Sequence, residues 1–530
     1  MPAPTATPQP TATPPPPTPT EGPSIKRGGS LIRSERRDPP HLDPHASVAA
    51  IDLFYISQLY STLLMNPVGT ELVCDLCESW EYVGDGTTAV FNLREDPTFA
   101  DGSPVEAQDV VYSLNKMVGL VPDEAQSTKC GAMSVYLAEG NPFEALDSRT
   151  VQINLAYSAA AFPKFIAMNF CGIVQDGTPR DALKTEAMGS GAFVIGSWDT
   201  GSVVEMEARA DFWKEGFPYL DAFIIPIISD TLAATAAVLT GRLDRARVSS
   251  GADQRAEYER FVADGKGEWQ LEPCNCIWGV AMNTTRPPFD NVMLRQAVNL
   301  ALDRESHDAI VRNGQASVSL YQPGLWPGAR KADEIWNKIP GWATGDAKEA
   351  ELEQARQLVA EAGYPDGIDV TILHSGYSAS ITRWVEWVST QLPRVGINVT
   401  ADTYPDRASF FEQFNSLGFD MVYFAWVTGL PEPDVWIGQF FRTNGSSNIT
   451  GFSDPVVDEM FVEQSSTLDP QKRLELVTQI EDRILEQMPI APASDSFSNF
   501  IMWNHFMGYD NANGEFYHDR AEWLYDGRVQ

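Results

Sequence analysis

Cys74-Asp75-Leu76-Cys77 has the C-x-x-C spacing of a redox or metal motif, and Cys130, Cys171, Cys274 and Cys276 bring the cysteines to six. Thiols in reactive C-x-x-C motifs owe their low pKa to a helix N-terminus that follows them. Here the next residues, Glu78 to Val83, alternate as a strand, so disulfides or buried thiols are the expected state. An even count favours an oxidising compartment, and all six are disulfide candidates whose connectivity does not follow from spacing. Cys274 and Cys276 share one face of a strand, where a bond directly between them would be strained.

The histidines, His41, His45, His307, His374, His505 and His518, show no metal-ligand spacing, so neither a metal nor a cofactor is expected. There is no G-x-S-x-G elbow, phosphate-binding glycine loop or H-E-x-x-H helix. Carboxylates are too abundant for any pair of them to indicate a glycosidase. An enzyme is therefore not expected. A formal net charge of −34 repels phosphate backbones and anionic lipid faces, which argues against a nucleic-acid partner.

The elements that must position any site are legible in blocks. Trp80 and Tyr82 mark a strand, Gly84-Asp85-Gly86 a turn, and Ala89, Phe91 and Leu93 the returning strand. Ser103, Pro104 and Glu106 read as a capping box with proline at the first helical position. Ala107, Val110, Val111, Leu114 and Met117 then fall on one helical face. Gly189 to Trp213 repeats the hairpin with Asp199-Thr200-Gly201 at its turn. Val280 to Glu305 reads as strand, proline-stiffened turn, an Asp290 or Asn291 cap, and a helix with Leu294, Ala297, Val298 and Ala301 inward. From about Asp346 helix and strand alternate, which predicts a parallel or mixed sheet carrying helices. Residues 469–489 predict a long helix and 490–503 a returning strand.

The first 24 residues hold 10 Pro and 6 Thr with almost nothing to bury, and are expected to form an extended tether. In polyproline geometry, at about 3.1 Å per residue, it reaches roughly 70 Å. A tether implies an anchor, so Met1 is expected to stand where a signal peptide and a lipid-carrying cysteine were removed. No run of about 18 or more apolar residues, the length needed to span a bilayer, is visible in the sequence.

Taken in order, "GGSLI", "DPPHLDPH", Glu78 to Leu114, Gly189 to Trp213, "MNTTRPPFDNVMLRQAVNLALDRE" and "EAGYPDG" resemble the family 5 extracellular solute-binding proteins of ABC importers. That family includes dipeptide, oligopeptide, nickel and cello-oligosaccharide receptors, and the resemblance covers nearly the whole chain after residue 26. It implies an α/β, two-lobed periplasmic-binding-protein-like fold of the type II class with an extra accessory domain, its mixed β-sheets flanked by helices. Residues 1–25 would be the tether. Residues 26–65, 190–273 and 490–530 would form domain I, and 66–189 the accessory domain II of the same lobe. Residues 274–489 would form domain III, the second lobe, with hinge crossings near Cys274 and Pro489. The implied role is extracytoplasmic: a monomer, lipid-anchored, closes on a small solute and docks on an ABC permease. His45, in the family's Leu42-Asp43-Pro44-His45 turn, would be structural, and a nickel chelate is not the favoured cargo. A sensor for a signalling partner and a hydrolase are the alternatives of another class.

In peptide-binding members of the family, a Gly-Trp-x-x-Asp segment supplies a carboxylate for the peptide's terminal ammonium. The matching segment here is Ala425 to Trp436, "AWVTGLPEPDVW". Trp426 matches the tryptophan, but the aspartate position is Gly429. Without a charge-assisted hydrogen bond of about 1.5–3 kcal/mol, the expected ligand is an oligosaccharide or other non-peptide polar solute, an oligopeptide or dipeptide being the alternative. Glu432 and Asp434 stand near enough to substitute. The alignment also brings Trp278, Trp326 and Trp436 to the cleft as stacking platforms, with Asn275, Tyr321, Asp495 and Phe497 beside them.

Overall fold

The computed structural model describes residues 25, 27–46, 50–65, 72–122, 130–249, 252–307, 340–376, 379–427, 430, 432–509 and 520–529, with backbone alone at 50, 130, 132, 252–253, 273–275, 379–380, 427 and 494–497. Alternation builds the first hairpin: Cys77–Val83 pairs antiparallel with Thr88–Leu93, and Ala89, Phe91 and Leu93 are buried beneath it. Gly84 and Gly86 make the turn at φ +67° and +87°, a region that favours glycine. Thr150–Asn154 and Phe143–Ala145 complete this four-stranded antiparallel sheet.

The following helix starts later than its sequence suggests. Ser103 donates its hydroxyl to Asp101, Pro104 sits in a bridge to Thr98, and the helix runs Ala107–Met117. Glu106 is the cap, closing a reciprocal box with Asp109. Asp101, just ahead of Gly102 at φ +85°, captures Ser103 in a turn, so the capping hydroxyl is spent before the helix begins.

A second sheet joins Ser30–Ile32, Ala222–Pro226, Val203–Ala208 and Phe193–Asp199 in that order, its last pair being the expected second hairpin. Just before it, Gly189-Ser190-Gly191 crosses the end of the Ala50–Leu59 helix. A Cβ on Gly191 would lie 2.3 Å from the Gln58 carbonyl oxygen, and one on Gly189 2.1 Å from that of Leu59. Ser61 and Trp213 both donate to the Ser190 carbonyl, fixing the approach. Gly191→Ala is expected to cost about 1–3 kcal/mol by overpacking, read as a lower midpoint in urea unfolding.

The third sheet has six strands, ordered Arg245–Arg247, Ile490–Trp503, Gly267–Met282, Met421–Val427, Ile368–Ser375 and Ile397–Tyr404. The last two are parallel, register Ile368 with Ile397, and the helix Ala379–Gln391 connects them, as the alternation predicts. Asn291 caps Val292–Ala301 through the Met293 N–H, and Leu294, Ala297, Val298 and Ala301 are all buried. Gly267–Met282 and Ile490–Trp503 pair along most of their length, but their register breaks between Pro273 and Ile277, opposite Phe497 and Asp495. The resulting fold is two-lobed, mixed sheets flanked by helices, with this long strand pair common to its central sheet. Among the described residues no helix is long and apolar enough to cross a membrane.

Cys74 and Cys77 are joined in a disulfide at the head of a strand, and no helix N-terminus follows to activate them. Cys171 and Cys276 are also disulfide-bonded. The side chains of Cys130 and Cys274 lie outside those described.

Candidate functional site

The strand break gathers the backbone of Asn275, Asp495 and Phe497 at one point of the central sheet. Their side chains, and all of Tyr321, Trp326, Gly429 and His518, lie outside the described residues. Trp426 is opposite Ile277 in the ladder, 2% exposed and edge-on to Phe424 at 6.0 Å. Trp436 is 3% exposed against Phe440, in the same core cluster as Trp426. Trp278 belongs to a different wall. It contacts Trp384 at 4.0 Å and stacks on Tyr423, whose hydroxyl meets His307 Nε2 at 2.9 Å. The structure thus brings Trp426 and Trp436 together in the core and leaves Trp278 half-buried beside the strand break.

The histidines have separate partners: His45 meets the Gly172 carbonyl, His374 meets Thr382 and Thr403, and His505 meets Asp244. Burial lowers the His45 pKa to about 4 despite Asp43 nearby, so it is a neutral, structural imidazole. Among the described residues no group of three or more His, Cys, Asp or Glu could hold a metal ion.

Glu432 and Asp434 are fully committed. Glu432 receives Arg473 and, at 2.8 Å, Lys164 Nζ. Asp434 receives Arg473 at 2.8 Å, Gln464, Ser465 and the Tyr136 hydroxyl, the last at 2.7 Å. Neither carboxylate is presented to a ligand ammonium. Burial alone would raise the Glu432 pKa, but Arg473 and Lys164 outweigh it and lower the value to about 2. Burial and then Asp434 hold the Tyr136 phenol well above its ordinary range. A lowered carboxyl pKa contributes stability that is complete above its unfolded value of 4.5 and lost as pH falls toward about 2. Acid titration followed by tryptophan fluorescence should therefore show loosening across that window, and Glu432→Gln should flatten it.

Beside this cluster opens a cleft of about 740 Å³, within the usual range for small-molecule sites. One wall is Ser134, Tyr136 and Phe165, and the other is the polar loop Arg442 to Ser447. Arg442 lies over the Phe461 ring at 4.5 Å and 3.8 Å from Asp458. Hydroxyls, amides and one cation make a wall able to hydrogen-bond a polar solute in several registers. Sequence reading missed it. The run "RTNGSSN" marks a loop, but its facing wall is about 300 residues earlier, as the 298-residue separation of Tyr136 and Asp434 shows.

Residues 71–448 match the family described as bacterial extracellular solute-binding proteins, family 5 Middle. The chain is 22% identical over 498 residues to the periplasmic oligopeptide-binding protein OppA of Escherichia coli (strain K12), covering 89% of this chain and 88% of that one. Its fold matches the periplasmic binding protein DppA from Helicobacter pylori, solved with the peptide STSA, at TM-score 0.76, 19% identity, and 95% and 99% coverage. It also matches the unliganded open form of the murein tripeptide-binding protein MppA, from Escherichia coli, at TM-score 0.76, 21% identity, and 95% and 99% coverage.

Proposed function

Because the chain belongs to the bacterial extracellular solute-binding proteins of family 5, we propose that it captures a peptide or peptide-like solute between its lobes and delivers it to an ABC permease. As a family member it is an extracytoplasmic solute-binding protein of an ABC importer. The peptide reading is carried by the match to an oligopeptide-binding protein over 89% of this chain. It has more support than the oligosaccharide expected from Gly429 and the tryptophans, since Trp426 and Trp436 are 2% and 3% exposed and offer little face for stacking.

With Glu432 and Asp434 engaged internally, the peptide's terminal ammonium is not bound by them. Selection would rest on backbone and side-chain hydrogen bonds along the 740 Å³ cleft and on groups at the strand break. The lobe division stands as proposed from the resemblance: domains I and II on one side, residues 274–489 on the other. The hinge crossings are proposed near Cys274 and Pro489, and the register break between Pro273 and Ile277, beside the first of them, supports that placing. The N-terminal tether and a lipid anchor would hold the monomer at the membrane face.

Native mass spectrometry of the purified protein, compared with its denatured mass, tests the ligand class. Added mass in amino-acid increments supports the peptide reading. Hexose increments would overturn it, as would a thermal-shift screen in which sugars stabilise and peptides do not.

A further inference from the structure

The contacts between Tyr136, Lys164 and the two buried carboxylates join elements from different lobes. Tyr136 ends the Cys130–Tyr136 turn and Lys164 lies in the Phe162–Ile166 helix, both packed on the four-stranded sheet of the accessory region. Glu432, Asp434 and Arg473 belong to the second lobe. Around these bonds Leu430 and Val435 are buried in the accessory region's own apolar core, and the Ala160 N–H donates to the Ser465 carbonyl at 3.0 Å.

The two halves of the contact differ in kind. On the second lobe the carboxylates are held from within: Arg473 bridges both, and Gln464 and Ser465 bond Asp434. That socket stays paired and hydrogen-bonded when the lobes part, so opening does not strand a buried charge. On the first lobe, Lys164 and Tyr136 are the described side chains that bond the two carboxylates directly, while Tyr157 and the Ala160 N–H bond Ser465 at the rim. Lys164, 22% exposed at its side chain, returns to water readily, and the Tyr136 ring is held edge-on by Phe165 at 5.5 Å.

We infer that Lys164 and Tyr136 are positioning residues for capture, a plug that docks in the preformed Glu432–Asp434 socket and holds the lobes closed independently of ligand. This rests on the two-lobed capture reading above. A receptor whose binding-competent form is already populated binds more tightly by that fraction, because less of the ligand's interaction is spent on closing it. Such a plug therefore sets affinity and residence time through closure. Tyr136 also forms part of the cleft wall, whereas Lys164 lies outside its lining and acts on closure alone, so Lys164→Met is the variant that isolates the effect.

The test is small-angle X-ray scattering of the full chain, stripped of solute and checked by native mass spectrometry, as wild type, Lys164→Met, Tyr136→Phe and the double variant. Wild type is expected to scatter as a closed particle, and the double variant as a larger one. Dissociation of a defined tripeptide pool is expected to quicken about tenfold in the double variant, within the usual range of couplings between sites. Lys164→Arg is expected to restore both readouts, which a mere packing defect would not allow. Unaltered circular dichroism confirms that each variant is folded. Identical scattering of wild type and double variant would overturn the inference, as would failure of Lys164→Arg to rescue. Scattering needs no ligand, so a wrong ligand class would leave this result standing, and an absent plug would leave the ligand assay standing.

Discussion

Arg473→Met is expected to lower unfolding stability by about 3–5 kcal/mol, the cost of removing one partner from a buried charge cluster. The side chain is 8% exposed and serves two carboxylates that are themselves 0% exposed. Both carboxylates raise the guanidinium's pKa above its usual value against the opposing effect of burial. Methionine fills similar volume but leaves Glu432 with Lys164 alone and Asp434 with neutral donors only. Urea unfolding should show the loss directly. Arg356→Met is the control, because Arg356 is 44% exposed and pairs with Glu353 on a helix surface, where such pairs are worth about 0–1 kcal/mol. The double variant Arg473→Met, Glu432→Gln should lose less than the sum of the two single changes, since the partners act as a unit. A loss from Arg473→Met no larger than the control's would show that the socket is not held from within.

Why so much of the fold was legible, and so little of this cluster, follows from sequence distance. Both hairpins, the Asn291 cap and the alternating Asp346–Tyr404 region rest on contacts between near neighbours, which periodicity and turn chemistry encode. The one shifted helix start is also local: Asp101 competed for Ser103, and two capping signals overlapped. Lys164 and Glu432 are 268 positions apart. Nothing in "AFPKFI" or "LPEPDVW" announces the other. In sequence Glu432 and Asp434 stand out only as stand-ins for the carboxylate missing at Gly429; the structure instead buries both against protein partners. Their partners are Arg473 on a neighbouring helix and Lys164 and Tyr136 far away in sequence, which only tertiary structure reveals. The tryptophans illustrate the same limit. A large aromatic near a cleft and a large aromatic in a core look alike in sequence, and burial alone separates them.

Trp426 makes that distinction measurable. Trp426→Ala is expected to cost about 3–5 kcal/mol, the usual penalty for emptying a buried aromatic site, because the indole is 2% exposed and packs with Phe424 in a cluster that includes Trp436, Phe440 and Ile484. The same variant would weaken solute binding for the trivial reason that the core around it is less well folded, so loss of affinity in it says nothing about contact. Trp426→Phe separates the two effects. It keeps an apolar ring in the core and should cost only about 1.5 kcal/mol or less if the core repacks around the smaller ring. With almost no surface to offer, the indole contributes packing alone, and Trp426→Phe should bind the tripeptide pool within about twofold of wild type, a difference under 0.5 kcal/mol. Isothermal titration at a temperature where both are fully folded gives the comparison. A tenfold weakening in a fully folded Trp426→Phe would mean that the solute reaches the indole when the lobes close around it, restoring Trp426 to the ligand site that the family alignment implies.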